Sequence, residues 1–279
     1  MKKVLCLLII MSVPVFLFAE PLTLQQAGNV LQPGTLEFGL SDIAYQTDLT
    51  KLTDSAGTVL QENTITSTIL PISGRYAFNE KWEGTLAIPY ISNTQKLGSA
   101  STSTTGMGDA LAGIKYSRNK TENKINAVSL LFSLPTGAAD FRKGLDIKPV
   151  WSHRKIKEKR AFNINIAYNL TAEYNDANSV KQNPGNILSF GMSAERMRTE
   201  KLTTLCEFEY RSLSEATSAG ASVADSAGTQ MDITLGARYN KGDWKSKLGV
   251  SIALGDETYR TYDYKVILGV TRLFKLGGI

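Results

Sequence analysis

The chain is short of the residues from which stapled folds and most metal or nucleophilic centres are built. Its 279 residues include 2 cysteines and 1 histidine. Cys6 lies inside an apolar leader, so Cys206 stands alone in the remainder and a disulfide framework is excluded. No His/Cys cluster exists to hold a metal, and no cofactor is expected. The sole histidine, His153, follows Ser152 and enters the basic run Arg154–Lys155–Ile156–Lys157–Glu158–Lys159–Arg160. It reads as a surface residue, because adjacency to a serine without a placed acid does not make a triad. Past the leader, no stretch approaches the roughly 20 apolar residues a membrane helix needs. Strong single-sign charge is missing too. Without Lys2 and Lys3 the formal charge falls from +5 to +3, and no basic helix is present, which excludes a nucleic-acid binder.

The leader itself is informative. Lys2 and Lys3 precede the apolar stretch Val4 to Phe18, and the small Ala19 comes just before Glu20 and Pro21. This layout predicts a secretory signal peptide over residues 1–19. Leu17 departs from the small residue preferred near the cut, and an uncleaved anchor is the alternative. Cys6 is too early for lipoprotein processing. Residues 20–33 place Leu22, Leu24 and Leu31 among Gln25, Gln26, Asn29 and Gln32. They are expected to form either a small plug or a flexible periplasmic lead.

What the rest of the chain does have is alternation. Phe162, Ile164, Ile166, Tyr168 and Leu170 alternate with Asn163, Asn165, Ala167 and Asn169. Ile233, Leu235, Ala237 and Tyr239 repeat the pattern against Asp232, Thr234, Gly236 and Arg238. A period of two is that of a strand with unlike faces. It predicts an all-β chain with about twelve strands, near 34–45, 62–78, 81–92, 108–118, 123–135, 144–153, 160–171, 185–196, 200–212, 229–240, 243–254 and 262–274. Ten or fourteen strands remain open.

The links carry independent information. Short charged links, such as Asn79–Glu80, Arg154–Lys159 and Lys241–Gly242, alternate with longer polar ones, such as Asn93–Met107 and Ser212–Ala227. Transmembrane antiparallel β-barrels alternate in this way, with tight periplasmic turns and longer outer loops. A soluble sandwich also uses alternating strands. Its dry core could not hold the charges on the second face cheaply, however, and strands of roughly 10–13 residues are long enough to cross a bilayer while tilted. Residues 34–279 are therefore expected to form one outer-membrane barrel with both termini periplasmic. Tyr76, Phe78, Trp82, Tyr116, Trp151, Tyr239 and Trp244 would form one interface girdle, and Tyr45, Tyr90 and Tyr262 the other. Outer-membrane lipids are the expected surroundings.

With apolar rows outward, the register puts Arg75, Glu83, Asp109, Lys115, Asp146 and Lys148 inside. Glu207, Glu209, Arg211, Asp232, Arg238, Lys245, Lys247, Asp263 and Lys265 join them. Such residues either line an aqueous path or knit the wall together. Arg75, Glu83, Asp109, Lys115, Glu207, Glu209, Arg211 and Arg238 are the candidates for the lumen or its constriction.

Two short segments add a resemblance. Thr104–Thr105–Gly106–Met107–Gly108–Asp109, followed by Gly113–Ile114–Lys115–Tyr116, resembles a glycine-rich strand start in outer-membrane transporter-like proteins associated with the meta-pathway of phenol degradation. Phe132–Ser133–Leu134–Pro135–Thr136–Gly137 is similar to that family's end of the next strand. The resemblance implies a channel for passive uptake of small hydrophobic or aromatic compounds. Gly106, Gly108 and Asp109 match the strand start, while Pro135 and Gly137 shape the loop. Many outer-membrane barrels end on an aromatic read by the barrel-assembly machinery; Phe274 sits in the last strand, but Lys275 to Ile279 follow it. A non-transporting structural barrel and an outer-membrane lipid-modifying enzyme are the competing readings. His153 gives the enzyme little support, since its basic turn should face the periplasm.

Overall fold

The computed structural model describes residues 29–53, 59–118, 121, 123–141, 143–176, 179–223, 226–255 and 262–276. The expected signal peptide and the first part of the expected plug lie outside these residues. The elements in chain order are β1 Thr35–Thr53, β2 Val59–Ala77, β3 Trp82–Leu97, β4 Ala100–Met107, β5 Ala110–Arg118 and β6 Lys124–Leu134. There follow β7 Asp146–Lys157, β8 Arg160–Asn169, β9 Tyr174–Asn175, β10 Lys181–Asn183, β11 Ile187–Met197 and β12 Leu202–Leu213. The last are β13 Thr217–Ser218, β14 Ala221–Ser222, β15 Gly228–Lys241, β16 Trp244–Leu254 and β17 Tyr264–Lys275.

Every neighbouring pair in the wall is antiparallel, and the wall closes where β1 pairs with both β2 and β17. β4 and β5 share one place in it: β5 pairs with the first part of β3 and β4 with the remainder. Counting them once gives a closed barrel of 12 strands. Closure is what hydrocarbon demands, because an open edge would leave unpaired backbone groups there.

The burial pattern is inside-out relative to a soluble protein. Leu235 is 61% exposed, Leu248 53% and Ile72 53%, whereas Glu83, Asn163 and Ser251 are 0% exposed. Alternation along each strand sends one row to the lipid and the next to the interior. Trp82, Trp151, Tyr239 and Trp244 all face outward; Trp82 packs on Tyr116 with ring centroids 4.7 Å apart. Tyr262 departs from the expected second girdle. It is fully buried, with Lys265 Nζ 4.6 Å from its ring centroid.

The strands are longer than alternation alone predicts. The expected Asn93–Met107 loop is a hairpin extension, in which β3 runs to Leu97 and β4 returns from Ala100 around Gly98. Its Ser/Thr-rich rows escaped notice because no apolar face is required beyond the lipid. Thr94 and Ser103 link it through a 3.0 Å hydroxyl pair. The expected Arg154–Lys159 link is also shorter, since β7 continues through Lys157 and the chain turns at Glu158, whose φ is 52°. The links 170–186 and 214–227 contain β9, β10, β13 and β14, which form a separate four-stranded sheet.

A bulge near the start of β1 bends the wall. The β1–β17 register shifts between Leu40 and Ile43. Just before it, Gly39 has φ 153°, and a Cβ there would lie 2.4 Å from the Val270 carbonyl oxygen, so only glycine fits. The short turns share an end with the chain termini, where Thr35 pairs with Lys275. This is called the terminal end below, and the opposite one the far end.

Candidate functional site

Inward rows from neighbouring and non-neighbouring strands meet in ion-pair networks. At the terminal end, Glu37 of β1 and Arg75 of β2 are directly opposed across the ladder, as are Glu83 of β3 and Lys115 of β5. Arg75 lies 2.8 Å from Glu37 and 3.5 Å from Glu83; Lys115 lies 3.4 Å from Glu83. Lys245 of β16 reaches the same Glu37 oxygen at 2.8 Å, and the Thr271 hydroxyl donates to the other at 2.8 Å. Arg75, Glu83 and Lys115 are thus brought together as a set, joined by Glu37, which sequence reasoning missed. Its position between the outward Leu36 and Phe38 was the available signal.

The N-terminal lead enters this network. Leu31 N–H donates to Glu83 Oε2 at 3.0 Å, and Gly34 N–H donates to the Ala77 carbonyl at 2.9 Å. Residues 29–33 are therefore tied to the terminal mouth through a lumen carboxylate.

A second network spans β7, β8, β11 and β15. Glu195 accepts from Arg154 at 2.7 and 3.0 Å, from Asn163 at 2.9 Å, and from Arg238. Asn163 also donates to Ser193 at 2.7 Å. Arg154 was expected in a surface turn. Because β7 continues past it to Lys157, its alternation places it inside, 5% exposed, against Glu195. Toward the far end, Arg211 pairs with Asp232, which also accepts from Gln230 at 2.8 Å. Lys247 pairs with Asp42, while Glu207 and Glu209 are buried on the same inner face. Asp263 sits at the far rim, accepting the Leu49 N–H at 2.8 Å.

Between the networks lies an open cavity. Ala87, Leu111, Ala112 and Leu131 line one side through β3, β5 and β6. Arg238, Lys245 and Lys247 line another through β15 and β16, about half a turn around the wall. The walls are unlike: small and apolar on one side, and on the other cations paired with the carboxylates Glu37, Asp42 and Glu195.

The two glycine-rich segments meet at the far end. Asp109 accepts the Gly137 N–H at 2.8 Å on one oxygen and the Lys143 N–H at 2.7 Å on the other. Ala110 N–H donates to the Thr136 hydroxyl at 3.0 Å, and Ala138 N–H to the Met107 carbonyl at 2.8 Å. Asp109, a candidate for the lumen wall or its constriction, thus carries backbone amides on both its oxygens. The loop it holds carries Phe141 onto Ala44, Ile69 and Ile91, on the inner face of the wall. Closeness rather than φ favours glycine at 137, since a Cβ would lie 3.0 Å from Asp109 N and Oδ1. Gly108 and Gly106 provide similar clearance, against Pro89 and Ile91 and against Phe141 and Ala138 respectively. Pro135 is exposed at the turn. Lys143 is buried beside this clamp, and loss of solvent pulls its ammonium down to about 7 although Asp146 and Asp109 oppose the shift.

His153 faces outward and pairs its Nδ1 with Asn126 Oδ1 at 2.7 Å, stacked on Trp151. Among the described residues, no group of three or more His, Cys, Asp or Glu side chains is placed to hold a metal.

The family profile described as "Putative MetA-pathway of phenol degradation" matches residues 41–264. The chain belongs to this family. Both glycine-rich segments and the Asp109 clamp fall within the matched span. Among solved structures, an outer membrane channel from Pseudomonas putida F1 is similar at 14% identity and a TM-score of 0.71, covering 88% of this chain and 98% of that one. The transport unit of the autotransporter AIDA-I from Escherichia coli aligns at 10% identity and a TM-score of 0.55, over 98% and 97% of the two chains. The NanC porin aligns at 10% identity and a TM-score of 0.51, over 84% and 99%. At these identities the likeness shows the fold, that of outer-membrane barrels. No curated protein matches the sequence.

Proposed function

We propose that this family member is a passive outer-membrane channel for small solutes, oriented with its termini and short turns toward the periplasm. The observation that carries the reading is the lumen itself: polar and charged rows are turned inward around an unfilled space, while the outward rows are apolar. A purely structural barrel has no need of a cavity between two unlike walls. Ala87, Leu111, Ala112 and Leu131 offer a surface for a small ring or alkyl group, and Arg238, Lys245 and Lys247 a surface for polar substituents. That combination, with the family's description, supports small aromatic or hydrophobic compounds as the solutes. The N-terminal lead, anchored through Leu31 to Glu83, serves as a cap on the periplasmic mouth.

The test is flux. Purified, folded protein in liposomes is expected to pass small aromatics faster than charged sugars of similar size. Correctly folded protein that passes neither class would refute the channel and favour a structural barrel. Preference for sugars would refute the solute class while leaving the channel intact.

A further inference from the structure

The outer face near the terminal end carries an arrangement of charge that neither the lumen nor the fold requires. On four successive strands of the wall, β6, β7, β8 and β11, cations are opposed directly by cations. Lys124 faces Lys155, Lys157 faces Arg160, and Arg160 also faces Arg196. All five are exposed and belong to outward rows. None makes an ion pair among the described residues, and the adjacent turn supplies one carboxylate, Glu158.

Side chains directly opposed across an antiparallel pair have Cβ atoms about 5 Å apart, and like charges there are destabilising. Three such pairs side by side form a ladder of repulsion. The ladder also sits just beyond lipid-facing aromatics: Lys155 is opposed to Phe162, and Trp151 stands one outward position beyond His153 on the same strand. That height on the wall is the bilayer interface, where aromatic rings meet headgroups.

We propose that this ladder is a binding site for anionic phospholipid headgroups of the leaflet meeting the terminal end. A phosphate placed between opposed cations turns their repulsion into shared attraction. Long Lys and Arg side chains reach it while the acyl chains lie along the apolar rows of β7 and β8. Several cations on adjoining strands suit lipids with a net negative headgroup, and zwitterionic lipids would leave the repulsion in place.

The full chain is reconstituted in phosphatidylcholine vesicles, with and without phosphatidylglycerol. Thermal unfolding is followed by heat-dependent gel mobility and retained lipid by native mass spectrometry. The parent is expected to unfold at a higher temperature with phosphatidylglycerol present and to retain that lipid. The double variant Lys155→Gln, Arg160→Gln is expected to bind it about thirtyfold more weakly, from about 1 kcal/mol for each cation near an anionic surface. In phosphatidylcholine alone the same variant is expected to match or exceed the parent's stability, since repulsion has been relieved. That reversal of sign with lipid charge distinguishes a headgroup site from a merely structural role. If the double variant fails to fold, Lys124→Gln at the edge of the ladder provides the same comparison. The proposal is overturned if phosphatidylglycerol brings the parent no gain, if the variant keeps the full gain, or if lipopolysaccharide is held in preference to phosphatidylglycerol.

Discussion

Replacing Asp109 by alanine should open the far mouth while leaving the barrel intact. Asp109 holds the 135–145 loop by accepting two backbone N–H hydrogen bonds, at 2.8 Å from Gly137 and 2.7 Å from Lys143. Hydrogen bonds to a charged group contribute about 1.5–3 kcal/mol each. The released amides recover part of this from water as the loop lifts, so the free energy of local opening should fall by about 3 kcal/mol, a factor of roughly one hundred. The Phe141 contact with Ala44, Ile69 and Ile91 remains, worth about 1.5–3 kcal/mol if the ring is fully buried. It keeps the closed form present rather than abolishing it. Hydrogen exchange in reconstituted protein reads the change directly. The Gly137 and Lys143 amides should exchange about a hundredfold faster, while amides in the middle of β15 and β16 keep their protection. Single-channel recording should show larger or noisier conductance. Unchanged exchange at Gly137 and Lys143 in a folded Asp109→Ala protein would refute the clamp. Faster exchange with unchanged conductance would leave the clamp in place but remove the loop from the path.

Glu195→Gln should destabilise the barrel by about 3–5 kcal/mol, because it leaves Arg154 and Arg238 together and buried without their carboxylate; the denaturant midpoint in detergent measures this, and an unchanged midpoint would contradict the network. Leu235→Lys, at the centre of an outward row, should cost about 2–4 kcal/mol of folding free energy in bilayers, as for a lysine at the membrane midplane, and no loss would place that row away from lipid. Lys143 should make loop closure depend on pH. Its pKa is about 7 in the folded protein and about 10.4 in an unfolded or open loop, so the open form binds the extra proton between these values. Closure should therefore strengthen as pH rises from about 7 toward 10, and weaken little further below 7. Exchange at Phe141 against pH checks this, and Lys143→Met should flatten the profile.

Much of the fold was legible because its governing signal is local. Alternation assigned inward and outward faces strand by strand, and the short charged links placed their tight turns together at one end. Arg75, Glu83, Lys115, Arg211 and Arg238 were all assigned to the interior, where the structure has them. Where alternation stops, so did legibility. The β3–β4 extension and the small sheet of β9, β10, β13 and β14 have no lipid-facing row to mark them, and β7 was ended three residues or more too soon because its last turn is rich in charge. That early ending hid Arg154.

Sequence alone thus determined the class of fold, a transmembrane barrel with apolar rows outward and charges within, because a period of two is written residue by residue. Which charges meet was decided only by the closed wall. Glu195 binds Arg154 across 41 residues of chain and Arg238 across 43, and Lys245 reaches Glu37 across 208. Alternation names a face but leaves open the height at which one strand stands against another. That height follows from register, bulge and closure. The same holds at the far mouth: two glycine-rich segments were visible as motifs, but only the folded wall brings Asp109 to the amides of Gly137 and Lys143 and makes a single clamp of them.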